Sequence, residues 1–150
     1  MNGKSLGRKK IKDYKTFFKT KYSAGELTAI SYDENGNKIA VNSLRSASEA
    51  GICIAPEKEK YEAGDIAYIN INIQDKDGIV ESNADKTLKV LVEGGELLGF
   101  GSANPCTRED FTKGEYTTYY GRSQAIVRKT SDDACIIRVS SGNDEMIKEI

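Results

Sequence analysis

The chain has 150 residues, with 22 Lys and Arg against 23 Asp and Glu, and a formal net charge of −1. That balance excludes the basic excess a nucleic-acid binder uses to displace counterions from phosphate, and the 38% apolar content excludes a disordered chain. The absence of histidine removes imidazole bases, Ser-His-Asp triads, Cys-His dyads and most zinc sites. Glycosidase chemistry survives, because it needs only carboxylates.

In chain order, Asn2-Gly3 is a strong turn dipeptide with no strand before it, so the first module is expected to be partial. From Tyr14 to Tyr22 the residues Tyr14, Thr16, Phe18, Thr20 and Tyr22 share one face in a strand reading, and Lys15, Lys19 and Lys21 take the other. Glu26–Tyr32 reads as a second strand. Asp33-Glu34-Asn35-Gly36 supplies a hairpin turn, and residues 38–44 return as a third strand. Residues 46–50 are small and polar and link two units, with the boundary at 49/50.

The second unit is organised by Asp65–Gln74, where Ala67, Ile69, Ile71 and Ile73 alternate with Tyr68, Asn70, Asn72 and Gln74. A period of two with β-branched residues on one side marks a half-buried strand. Asp77-Gly78 turns the chain, and residues 85–93 continue the alternation through Leu88, Val90 and Val92. Gly94-Gly95 leads into a strand to Gly101, residues 102–114 form a long loop, and Glu115–Tyr120 is rich in Thr and Tyr. Residues 123–129 and 134–140 are the last two expected strands, and 142–150 is expected to be a C-terminal tail. Short strands with turns every ~8–12 residues indicate an all-β sandwich. No stretch approaches the ~18 apolar residues of a membrane-spanning helix, and no membrane association is expected.

The order of short motifs in the first unit resembles one sandwich module of glycoside hydrolase family 2, the β-galactosidase-like enzymes. These motifs are Asn2-Gly3-Lys4-Ser5-Leu6-Gly7, Gly25-Glu26-Leu27-Thr28-Ala29, the Asp33–Gly36 turn, and Ser46-Ala47 before Gly51. The next module of such enzymes is resembled by Asp65-Ile66-Ala67, Asp75–Gly78, Gly95–Gly99, Asn104-Pro105, Glu109-Asp110-Phe111, Tyr120-Gly121 and Ala125–Arg128. The loop Gly101-Ser102-Ala103-Asn104 departs from the family pattern, in which an Asn-Gly pair is commoner.

The resemblance implies an immunoglobulin-like fold, with one complete module (50–141) preceded by a truncated one (1–49). It also implies an accessory role downstream of a TIM-barrel domain that carries both catalytic glutamates. No catalytic residue is therefore assigned to this chain, and no cofactor or metal is expected. The expected partners are the barrel and neighbouring sandwich domains of the parent, and carbohydrate. An exposed strand edge would also permit dimerisation. The parent is expected to hydrolyse β-glycosides such as β-galactosides, in a bacterial periplasmic or secreted setting. Two alternatives stay open: a carbohydrate-binding module, and an Ig-like spacer of a bacterial surface protein.

Several clusters compete as sites. Gly94–Gly101 is glycine-rich, but a phosphate loop opens a helix and this run leads into strand and Pro105. The acidic pairs Asp132-Asp133, Glu109-Asp110 and Asp75/Asp77 lie at turns, whereas retaining glycosidases hold two carboxyls about 5–5.5 Å apart across a sugar. Phe111, Tyr116, Tyr119, Tyr120 and Arg122 gather in and after the longest loop and are the candidate binding residues, since aromatic faces stack on sugar rings. The basic run from Lys4 to Lys21 reads as the coat of an exposed sheet. Cys53 and Cys135 sit in apolar runs as buried thiols. Their pairing, which needs Cα atoms about 4.4–6.8 Å apart, is left open.

Overall fold

The computed structural model describes residues 1–150, and every regular element in it is a β-strand. The chain forms two compact units, Met1–Ser48 and Glu49–Ile150.

The first unit is built on β1 (Glu26–Tyr32) and β2 (Lys38–Arg45), an antiparallel hairpin in which Leu27 faces Leu44 and Ile30 faces Val41. Asp33 makes its turn. Its backbone N–H donates to Asn37 O at 2.9 Å, and its carboxylate accepts Asn37 N–H at 2.7 Å and the Asn37 amide at 2.9 Å. Those bonds favour the ionised carboxyl and hold Asp33 below its usual range. Successive strand residues point to opposite faces, so Leu27/Leu44 and Ile30/Val41 leave apolar side chains exposed on both sides of the ribbon.

The Tyr14–Tyr22 alternation does not form a strand. Its neighbourhood makes one isolated bridge, Lys12 with Lys15, closed over Asp13 and Tyr14, both at positive φ. A two-residue period specifies a strand only where a second strand supplies ladder hydrogen bonds, and none lies beside this segment. The basic run therefore coats no sheet. Within it, Arg8 stacks on the Tyr32 ring at 3.9 Å and Lys9 donates to Phe17 O at 2.6 Å.

The second unit is a sandwich of two four-stranded antiparallel sheets. Its strands are β3 (Gly51–Pro56), β4 (Ile66–Gln74), β5 (Thr87–Glu93), β6 (Gly95–Gly101), β7 (Glu115–Thr117), β8 (Arg122–Lys129), β9 (Ile136–Ser141) and β10 (Asp144–Glu149). One sheet has the order β3-β4-β8-β6 and the other β10-β9-β5-β7. With β3, β4, β5, β6, β8, β9 and β10 taken as strands A to G, these orders are ABED and GFC, the constant-type immunoglobulin arrangement, with β7 added beside C.

That topology corrects the expectation of a tail at 142–150. Gly142 turns the chain, and Asp144–Glu149 pairs with Ser141–Ile136 along six positions as strand G. Beyond it Cys135 and Ile150 exchange backbone hydrogen bonds, and the Lys129 ammonium donates to Ile150 O at 3.1 Å. The segment escapes a periodicity reading because all six residues of this edge strand are exposed. Its two apolar residues, Met146 and Ile147, are also adjacent and do not alternate.

The core follows the alternation of β4. Ala67, Ile69, Ile71 and Ile73 face Leu88, Val90, Ile137 and Val139 of the opposite sheet, with Ala125 and Val127 beside them, and all are buried. The three cysteines are free thiols: Cys135 is buried, Cys53 half-buried and Cys106 exposed. Burial pushes the Cys135 thiol up, which keeps it protonated and unreactive in the core.

Candidate functional site

The acidic pairs are tied into turns. The Asp75 carboxylate accepts the backbone N–H groups of Asp77 and Ile79 at 3.0 and 2.9 Å. Asp132 accepts from Ala63 N–H at 3.1 Å. Glu109 accepts from the Thr117 N–H and hydroxyl at 2.8 and 2.7 Å and, on its second oxygen, from the Thr107 hydroxyl at 2.9 Å. This fastens the long loop to β7. Asp110 accepts both polar hydrogens of Thr112, which hold its carboxyl below the usual range. Carboxylates bonded this way stabilise turns as charged acceptors.

The aromatic candidates divide between core and surface. Tyr116 is fully buried, stacked on Phe111 at 5.1 Å and edge-on to Phe100 at 6.4 Å, with its hydroxyl buried and unbonded. It is a core residue. Phe111 remains 55% exposed while its backbone carbonyl accepts Phe100 N–H at 2.8 Å. Its ring lies against Gly101 of β6, where a Cβ would stand 2.3 Å from the ring and displace it.

Tyr119, Tyr120 and Arg122 surround the hairpin that opens β8. Tyr119 and Arg122 exchange backbone hydrogen bonds, enclosing Tyr120 at φ 50° and Gly121 at φ 72°. Two left-handed residues between bonded partners make a type I′ turn, whose usual sequence is Asn-Gly. Gly121 is required, since a Cβ there would meet Glu81 O at 2.4 Å. Tyr120 is the anomaly, a bulky side chain at positive φ with 56% of its surface exposed. Its ring lies 4.5 Å from that of Tyr119, and hydrogen bonding to Tyr120 pushes the Tyr119 phenol up. The Arg122 guanidinium donates to Tyr120 O at 3.0 Å, which fixes it beside the turn.

These residues border an open cleft of about 770 Å³ on the outer face of the β3-β4-β8-β6 sheet. Residues that sequence reasoning passed over form its floor. Asn72 lies opposite Arg122 and Asn70 opposite Gln124 in the β4–β8 ladder, with Gln124 donating to Asn70 at 3.1 Å. On the other side of β8, Gly99 and Gly101 of β6 face Ile126 and Gln124, and Leu98 and Ile126 add apolar side chains to the glycine backbone there. The outward carboxamides on β4 were visible as the polar half of the alternation. The missing signal was their alignment with β8, a register that only the folded sheet supplies.

Residues 52–145, well over half the chain, match the family model of glycoside hydrolase family 2 C-terminal domain 5, and residues 1–40 match a domain of unknown function, DUF4982. No curated protein matches the chain. Among solved structures, a glycosyl hydrolase family 2 member from Bacteroides cellulosilyticus DSM 14838 is similar over 100% of this chain at 25% identity and a TM-score of 0.85. A β-glycosidase from Bacteroides vulgatus is similar over 86% at 23% identity and a TM-score of 0.66. A family 2 β-glucuronidase shares the fold over 89% at 13% identity and a TM-score of 0.72. This chain spans 22%, 18% and 15% of those three chains respectively. The chain belongs to glycoside hydrolase family 2, as part of its C-terminal sandwich region.

Proposed function

We propose that this chain is a non-catalytic accessory region of an enzyme that hydrolyses β-linked glycosides, with β-galactosides as the substrate class. The observation that carries the reading is the match of residues 52–145 to a C-terminal domain, in a chain spanning about a fifth of a relative that it matches end to end. The acidic pairs support it, because Asp75, Asp110 and Asp132 accept hydrogen bonds from turn and loop groups and Glu109 fastens the long loop to β7. The apolar side chains on both faces of the β1–β2 ribbon are seats for neighbouring sandwich domains of the parent, since a lone two-stranded hairpin is marginal in water.

Chromogenic β-galactosides and β-glucuronides presented to the 150-residue chain should give no turnover above buffer. The enzyme containing it should cleave the galactoside faster than the glucuronide. Hydrolysis by the chain alone would overturn the accessory role, and a preference for glucuronide would overturn the substrate class.

A further inference from the structure

We infer that the cleft on the outer face of the β3-β4-β8-β6 sheet binds a saccharide carrying a carboxylate. The inference does not depend on which glycoside the parent cleaves. Three features of its lining converge on that ligand.

The first is the mixture of surfaces. A sugar ring presents apolar C–H faces and a rim of hydroxyls that both donate and accept. The exposed rings of Phe111 and Tyr120 offer flat apolar surface, and Asn70, Asn72 and Gln124 offer carboxamides, each a neutral group with two donor hydrogens and an acceptor oxygen. The volume lies within the ~300–1,000 Å³ of small-molecule sites.

The second is charge. Arg122 is the one ionised side chain lining the cleft. Its hydrogen bond from Nη1 to Tyr120 O leaves the rest of the planar fork available to pair with a carboxylate. Asp85, the nearby acid, accepts Tyr120 N–H at 3.1 Å and is not part of the lining.

The third is Tyr120 itself. Its place in the type I′ turn suits Asn, and a half-exposed tyrosine there costs conformational energy against a packing return limited to the Tyr119 ring. Strain held at a cleft wall is accounted for if the ring contacts ligand.

Isothermal titration of the 150-residue chain with a trimer of galacturonic acid and with its neutral galactose counterpart tests this. The acidic trimer should bind about tenfold more tightly than the neutral one, from one charge-assisted pair. Arg122→Gln should bring the two to the same affinity. Tyr120→Asn should weaken the acidic trimer at least about tenfold while the thermal midpoint holds or rises, a combination a purely structural tyrosine would not give. No binding of either trimer, equal binding of both by the unmodified chain, or unchanged affinity in Tyr120→Asn would each overturn the inference. If that variant misfolds, Arg122→Gln decides alone.

Discussion

A chain ending at Ser141 is expected to lose at least about 4 kcal/mol of stability in its second unit, taking each lost ladder hydrogen bond at roughly 1 kcal/mol. β10 forms the outer edge of its sheet beside β9. Its removal strips six paired positions from β9, whose Ile137 and Val139 are fully buried in the core. It also removes Ile150, which packs against that core and accepts from the Lys129 ammonium at 3.1 Å. Lys129 is itself buried, so the deletion leaves a cation with less solvation than water would give and no acceptor in its place. Against the ~5–15 kcal/mol typical of a domain, such a loss leaves little margin. Urea unfolding of the two lengths checks it. A midpoint shared by both would show that the last strand is dispensable.

Opposite outcomes are expected for two substitutions at Tyr116. Tyr116→Ala should cost about 3–5 kcal/mol, because it removes a fully buried ring stacked on Phe111 and edge-on to Phe100, leaving a cavity between the long loop and the sheet. Tyr116→Phe keeps the ring and removes a hydroxyl that is buried without a hydrogen-bond partner. Since an unsatisfied buried hydroxyl costs roughly 1–3 kcal/mol, the phenylalanine variant should equal or exceed the parent's stability by about 1 kcal/mol. Denaturant midpoints at unchanged slope measure both. A marked loss in Tyr116→Phe would mean that the hydroxyl has a role the static contacts do not show.

The sandwich was legible wherever one face of a strand is dry. In β4 and β5 burial follows the alternation of Ile69, Ile71, Leu88 and Val90 closely, because a half-buried strand writes its orientation into its side chains. It was illegible where both faces are wet, as in β10, and misleading at Tyr14–Tyr22, where alternation lacks a partner strand. The turn at Gly142 and the need of this topology for a seventh strand were the available clues to β10. Of the five binding candidates, Phe111, Tyr119, Tyr120 and Arg122 line one cleft and Tyr116 lies beneath it. Nearness in sequence gathered them, but it could not separate the aromatic side chain that faces water from the one that fills the core. The carboxamides come from strands more than fifty residues apart, and only sheet register brings Asn70 beside Gln124.

The four outer strands of the second unit each discourage a fifth neighbour in a different way. β10 carries Asp144, Glu145, Lys148 and Glu149; β7 is three residues long; β3 ends in Pro56; β6 is broken by a bulge between Leu97 and Gly99. Charge, brevity, proline and bulging are the devices by which natural sheets avoid recruiting foreign strands. The β1–β2 ribbon has an irregularity at Ser31/Tyr32 and charges at Glu26, Lys38 and Arg45, yet it shows leucine, isoleucine and valine to water on both faces. Edge protection in the second unit is thus a matter of strand ends and borders, whereas in the first unit it is the faces of the ribbon, not its edges, that leave apolar surface uncovered.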